Sequence, residues 1–218
     1  MGNYSAVVLD FETTGLSPDS GDRVIEIGAV LIRDNRIEDR FQSLMNPGRP
    51  VSGFIEEYTG ISNSMLATAP PIATVMEKFV HFMAGHHLVA HNAGFDRRFL
   101  DAELQRISQR RRQDFACSLL VARRVYPDAP GHSLAALVRH KRLPTSGVHH
   151  RALADAEMTA HLWLGMIAEL KSAFHLRQVP FALLQQLARV PKKAAPVFLQ
   201  RHAAAQHGEA GTTAAPAV

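Results

Sequence analysis

An α/β protein built on a mixed sheet is the architecture this sequence predicts, on three observations. Apolar, partly β-branched runs of strand length occupy residues 6–9 and 24–32. Both are apolar on both alternating faces, apart from Glu26 in the second, which is the pattern of strands covered from each side. Helical stripes that could cover them come later, at Ile72, Val75, Met76, Phe79 and Phe82 or Met83, and at Leu153, Ala156, Ala160, Leu164 and Ile167.

Taken in order, the first run ends in Asp10-Phe11-Glu12 and is stopped by Thr13-Thr14-Gly15. The second is a central strand, and Asp34-Asn35 turns it into a third run marked by Ile37, Phe41 and Met45. Charged residues between those three give that run the look of a half-exposed edge strand. The first three strands therefore read as an antiparallel meander. Glu26 lies on a buried strand and reads as a pocket acid or, slightly favoured, an ion-pair partner. Asn46-Pro47-Gly48 and Pro50 make a loop, followed by short helical pieces near 53–59 and 63–67. Pro70-Pro71 opens the first striped helix, because proline is tolerated in a first turn, and Gly85 closes it. Leu88-Val89-Ala90-His91 is a fourth strand and leads through Asn92-Ala93-Gly94 into a helix with Phe99, Leu100 and Ile107. Asp114-Phe115-Ala116 is a short fifth strand. Helices follow near 117–125 and 133–140, then a loop to 148, then the long helix from Arg151 to about Ser172. Val179-Pro180 starts one more amphipathic piece, which Pro191-Lys192-Lys193 interrupts. The expected organisation is a main domain over 1–175, a helical extension over 176–202, and a disordered Ala/Gly/Thr/Pro tail over 203–218.

Composition narrows the function classes. The chain has 218 residues, 46% of them apolar, and no run approaching the ~18 apolar residues of a membrane span. It has one cysteine, Cys117, which excludes an intrachain disulfide, and it opens with no basic-then-apolar leader; both point to a reducing cytoplasm and no membrane. A formal charge of +4 is compatible with a polyanionic partner. The Arg97-Arg98 pair and the segment holding Arg110, Arg111 and Arg112 are basic patches.

Four acids stand at comparable places. Side chains two apart leave a strand on the same side, so Asp10 and Glu12 share a face at the end of the first strand. Asp96 opens the helix after the fourth strand, and Asp155 opens the long helix. In an α/β sheet the carboxyl ends of neighbouring strands converge on one rim. Four acids meeting there need cations, and carboxylates suit hard divalent ions such as Mg²⁺ or Mn²⁺. Two such ions roughly 3.5–4 Å apart suit in-line displacement at phosphorus. A histidine that titrates near neutrality can take the proton of the attacking water, and His150, at the opening of the long helix, is placed for that.

Asp10-x-Glu12, His91-Asn92-Ala93-x-Phe95-Asp96 and His150-x-Ala152-x-x-Asp155 together resemble, in order and separation, the three motifs of the DEDDh 3′–5′ exonucleases. That family includes the proofreading epsilon subunit of bacterial DNA polymerase III and ribonuclease T. The likeness spans about residues 5–172, and Tyr58-Thr59-Gly60-Ile61 resembles a segment of epsilon-like members. The resemblance implies a ribonuclease H-like five-stranded sheet flanked by helices and two Mg²⁺ or Mn²⁺ ions per active site. It implies Asp10, Glu12 and Asp155 at the first ion, Asp10 bridging to the second, Asp96 at the second, and His150 as general base. It further implies that Thr13, Thr14, Gly15 and Leu16 grip the 3′-terminal nucleotide, with His91, Asn92 and Phe95 also on the substrate side. The implied activity is release of nucleoside 5′-monophosphates from single-stranded DNA 3′ ends, in proofreading or repair, by a monomer or homodimer with room for a polymerase partner. After residue 172 no polymerase- or clamp-binding tail is recognisable, so a stand-alone nuclease is equally compatible. Trimming of RNA ends is the nearest alternative, since both polymers share the phosphodiester. A nucleic-acid-binding module without turnover is the alternative from another class. A ribonuclease H-type endonuclease is disfavoured by the histidine register.

Overall fold

The computed structural model describes residues 4–145 and 151–208. Five strands form one mixed sheet among them: β1 (Ala6–Thr13), β2 (Val24–Arg33), β3 (Arg36–Leu44), β4 (His87–Ala90) and β5 (Phe115–Cys117), in the order β3-β2-β1-β4-β5. β1, β2 and β3 pair antiparallel, as the meander reading expects, while β4 joins β1 and β5 joins β4 in parallel. Each parallel step needs a crossover. Three helices bridge β3 to β4: α1 (Gly53–Thr59), α2 (Asn63–Ala67) and α3 (Ile72–Met83). α4 (Gly94–Arg106) bridges β4 to β5. The chain then continues through α5 (Ser118–Val125), α6 (Leu134–Lys141), the long α7 (Ala152–Phe174), α8 (Phe181–Arg189) and α9 (Ala195–Gly208). No helix among the described residues is long and apolar enough to cross a membrane.

The alternation along β1 divides the molecule. Val7, Leu9 and Phe11 point into a core with the α3 stripe (Ile72, Val75, Met76, Phe79, Met83) and with Phe99, Leu100 and Leu104 of α4. Ala6 and Val8 point to the other layer, where Trp163, Met166 and Leu170 of α7 pack with α5, α6 and α8. Asp10 and Glu12 continue the even-numbered series. They therefore emerge on the α7 side of the sheet, and this parity decides which helix can meet them.

α7 approaches the sheet very closely at its start. Gly28 of β2, paired in register with Asp10, lies so near Ala152 and Leu153 that a Cβ there would overlap their backbone. A glycine is required here for proximity, not for dihedral freedom.

The helical extension passes the boundary at 202 that composition suggests. α9 continues to Gly208, and Ala203 is packed against the α7–α8 core, so a small-residue stretch that resembles a tail is helical to that point. Alanine is the strongest helix former, and a run of it is equally legible as helix.

Candidate active site

The end of β1 supplies the first two carboxylates. Glu12 is buried at 8% exposure and Asp10 is half-buried. Asp155, in the first turn of α7, comes to them across the even-numbered face. One carboxylate oxygen from each of Asp10, Glu12 and Asp155 lies within 4.8 Å of the others, a spacing that a shared cation could span. Asp96 reaches the same rim from the opposite layer: it opens α4, is 2% exposed, and its Oδ1 accepts the backbone N–H of Phe11 at 3.2 Å. It lies outside the tight group of three while lining the same hollow.

Like charge and burial act together on these groups. Asp10 is held well above the usual carboxylate range by loss of water, then by the charges of Asp96, Asp155, Glu12 and Glu26. Glu12 is pushed up to about 8 by burial and then by Asp155, Glu26 and Asp96, with Arg151 opposing. Burial lifts Asp96 to about 7, against the hydrogen bonds from backbone amides that favour its ionised form. Without a counter-ion this cluster resists ionisation. All-oxygen donors of this kind match the preference of Mg²⁺ or Mn²⁺ and not that of soft metals.

Glu26 behaves differently, although it pairs with Glu12 across β1 and β2. It is 1% exposed, and its Oε1 takes the Arg151 Nη2 at 2.8 Å and the Gln42 Nε2 at 3.0 Å. Its Oε2 accepts the backbone N–H of Ala152 at 3.1 Å. Arg151, the N-cap position of α7, offers no side-chain cap of its own. Glu26 thus supplies an acceptor from another element to an orphan amide at the start of α7. Of its two sequence readings, the ion pair is the one observed. Together with Gly28 it fixes the helix that carries Asp155.

Asp10, Glu12 and Asp96 line one side of a cavity of about 660 Å³. Thr13, Thr14, Gly15 and Leu16 form its next wall, followed by His91, Asn92 and Phe95. The threonine hydroxyls are already used: Thr13 Oγ1 donates to the Gly15 carbonyl at 2.6 Å, and Thr14 Oγ1 donates to Asp22 Oδ1 at 3.2 Å. A Cβ at Gly15 would run into the Asp22 carboxylate, so the glycine lets the loop close on itself. Leu16, in contrast, is 79% exposed at the cavity mouth. His91 faces the cavity, yet both its ring nitrogens are engaged. Nε2 donates to the His132 carbonyl at 2.9 Å, and Nδ1 lies 2.9 Å from the Ser118 hydroxyl, which also reaches the Ala90 carbonyl at 3.2 Å. Burial lowers its pKa, in keeping with a neutral ring that fastens β4 to α5. Asn92 sits in the left-handed region at φ 65°, which asparagine tolerates better than most residues.

Sequence patterning alone misses the opposite wall. Phe54 and Tyr58 of α1 project into the cavity at 71% and 51% exposure, their rings stacked with centroids 5.9 Å apart. The signal is an aromatic pair at i and i+4 on a short helix whose one aliphatic residue, Ile55, packs against a small buried core. The segment Tyr58-Thr59-Gly60-Ile61 therefore starts at the end of an aromatic face, while its Ile61 is fully buried in that core with Ile25, Val51 and Leu66. His150, expected as the general base, lies outside the described residues.

Comparison with known proteins follows this geometry. A family model described as RNase T, exonuclease, matches residues 7–163. A "DNA polymerase III PolC-type" of Caldanaerobacter subterraneus subsp. tengcongensis is 39% identical over 165 residues, covering 76% of this chain and 12% of that protein. The "3'-5' exonuclease DinG" of Bacillus subtilis is 36% identical over 194 residues, covering 87% of this chain and 20% of its own length. The chain thus spans a fifth or less of the length of these two curated relatives. Among solved structures, exonuclease X in complex with 5′-overhanging duplex DNA superposes with a TM-score of 0.67 at 28% identity, covering 84% of this chain and 99% of that one. The mixed β3-β2-β1-β4-β5 sheet, the carboxylates gathered at its rim and a family match over most of the length agree: this chain belongs to the RNase T family of exonucleases, the DEDDh type that its three motifs resemble.

Proposed function

We propose that the chain is a divalent-metal-dependent 3′–5′ exonuclease that removes nucleoside 5′-monophosphates from single-stranded DNA ends. The observation that carries this reading is the convergence of Asp10, Glu12 and Asp155 within 4.8 Å beside an aromatic-walled cavity open to solvent. The donor set fits hard divalent ions: Asp10, Glu12 and Asp155 would hold a first, and Asp10 with Asp96 would serve a second. Ions held there would supply Lewis-acid activation of water and offset the charge that builds on the phosphate.

The remaining work falls to side chains and backbone of the chain. The loop from Thr13 to Gly15, rigid through its bonds to Asp22, presents backbone to the terminal nucleotide. Leu16 wedges against the penultimate base, and Phe54 with Tyr58 offers a stacking wall for the terminal one. Asn92 and Phe95 bound the sugar–phosphate side. His150 accepts the proton of the attacking water, a role supported by its spacing to Ala152 and Asp155. DNA is favoured over RNA because the relatives include polymerases of DNA and the superposed exonuclease X is bound to DNA. The same polymerase names support a proofreading setting with a polymerase partner, for which a mismatched 3′ end should be removed faster than a matched one.

A time course on 3′- and 5′-labelled DNA and RNA oligomers, with Mg²⁺, Mn²⁺ or EDTA, tests the reading. Mononucleotide release from the 3′ label, abolished by EDTA, is expected. Asp10→Ala should be folded and inactive; full activity in that variant sinks the assignment. His150→Ala should lose most turnover and still bind Mn²⁺.

A further inference from the structure

A second cleft, of about 450 Å³, adjoins the acidic cavity and shares Asn92 with it. Its walls are the start of α4, the end of β5 with α5, and α8. Arg97, Arg123 and Arg189 line it, and no aspartate or glutamate does. None of the three makes a side-chain hydrogen bond or ion pair among the described residues. Arg23 and Arg151, by contrast, are matched by Glu103 and Glu26. Three like charges converging on one concave surface focus a positive potential that suits a polyanion.

The cleft is also firmly built. Arg124 of α5 donates its Nε to the Val190 carbonyl at 2.9 Å, and Gln185 Nε2 donates to the Phe115 carbonyl at 3.3 Å. These bonds tie α8 to α5 and β5, and so set Arg189 beside Arg123. α8 lies beyond residue 163, where the family match ends.

We infer that this cleft holds the phosphodiester backbone of the nucleic acid whose 3′ end occupies the acidic cavity, and that α8 is therefore part of the substrate surface. The inference rests on the reading that the chain acts on nucleic-acid ends. The backbone has two sources with the same chemistry: the digested strand itself, some nucleotides from its end, or the complementary strand of a duplex.

The test uses the full chain with Arg123→Gln, Arg189→Gln and Arg189→Lys. Binding of a labelled ten-nucleotide single strand, and of a duplex with a recessed 3′ end, is followed by fluorescence anisotropy in EDTA across a salt series. Hydrolysis of the nitrophenyl ester of thymidine 5′-monophosphate, a substrate that reaches only the acidic cavity, is measured alongside with Mn²⁺. Each Gln variant should weaken binding by roughly 3- to 10-fold and lower the salt slope by about 0.7–0.9, as for one lost phosphate contact. Arg189→Lys should restore most of the slope, and ester hydrolysis should be unchanged. Loss on the single strand assigns the cleft to the digested strand; loss confined to the duplex assigns it to the complement. Unchanged affinity and slope on both substrates, in variants with wild-type melting midpoints, would overturn the inference. Parallel loss of ester hydrolysis would overturn it too, by tracing the effect to the acidic cavity. If the wild type hydrolyses neither ester nor oligonucleotide, the catalytic reading fails while the binding data still decide the cleft.

Discussion

Glu12 and Glu26 face each other across β1 and β2, both buried, and they do opposite things. Glu26 has every lone pair it needs answered by Arg151, Gln42 and the Ala152 amide. The Glu12 carboxylate makes no hydrogen bond or ion pair among the described residues and has Asp155, Glu26 and Asp96 for electrostatic company, opposed by the charge of Arg151. The same side chain in the same register is scaffold in one case and a cavity-lining acid among like charges in the other. A buried carboxylate with its partners in place is tolerated, and removing a partner is costly. A buried carboxylate surrounded by its own kind costs stability, and such a group is retained where something binds it.

The largest expected effect breaks the cavity-lining member. Glu12→Gln keeps the shape and removes one charge from the cluster, so it should lower exonuclease turnover on the order of 10³-fold, beyond the 10- to 100-fold typical of groups that only support a metal ligand. Without metal the same variant should melt roughly 2–4 °C higher near neutral pH, at a scale of about 1 kcal/mol, because folding no longer has to protonate a buried carboxylate that is ionised in the unfolded chain. Turnover within a factor of two of wild type would place Glu12 outside the chemistry. So would a lower melting midpoint together with wild-type Mn²⁺ affinity.

Removing the satisfied member should reverse the pattern. Glu26→Gln leaves Arg151 without its carboxylate and weakens the cap on Ala152. Arg151 keeps about a third of its side chain in water, which moderates the loss, so a cost of roughly 2 kcal/mol is expected, below the 3–5 kcal/mol of a fully buried pair. Turnover should fall about 10- to 100-fold, because Asp155 rides on the helix that Glu26 holds. Coupling to Arg151→Gln sharpens the comparison: the double variant should be less than additive in stability if the two act as a pair. Strict additivity would mean that Glu26 acts on α7 through the Ala152 amide alone.

This contrast also marks how much the sequence could tell. Strand alternation placed Asp10 and Glu12 on one side, and the first-turn positions of Asp96 and Asp155 put them on the same rim, because period-2 and helix-start rules are local. Glu26 was ambiguous for a physical reason: its partner Arg151 is 125 residues away, and nothing local encodes that meeting. Gly28 likewise looks like an ordinary small residue in a strand until α7 is seen lying on it. Phe54 and Tyr58 escaped because a seven-residue helix is too short for periodicity to separate a core face from a cavity face. His91 was legible as part of a motif, but its bonds to Ser118 and His132 depend on where the later chain returns.

The smallest effect is the most diagnostic of what separates the two glutamates, and it is read from pH. Glu12 goes from an ordinary value of 4.5 to about 8 in the folded chain, and Asp96 from 3.8 to about 7. Between those limits the native state holds protons that the unfolded chain has released, so stability falls as pH rises. The contribution is intact below about 4.5 and fully lost above about 8 for Glu12. The metal-free chain should therefore melt at progressively lower temperature from pH 6 to 8.5, and part of that slope should vanish in Glu12→Gln. Using the difference between the two proteins cancels the contributions of the groups that they share. Saturating Mn²⁺ should flatten the wild-type curve, because a bound cation stabilises the ionised form, and binding at pH 7 should release protons, seen as a buffer-dependent calorimetric heat. If Glu12→Gln keeps the whole slope, Glu12 is already ionised without metal, and its burial among like charges is not what sets it apart from Glu26.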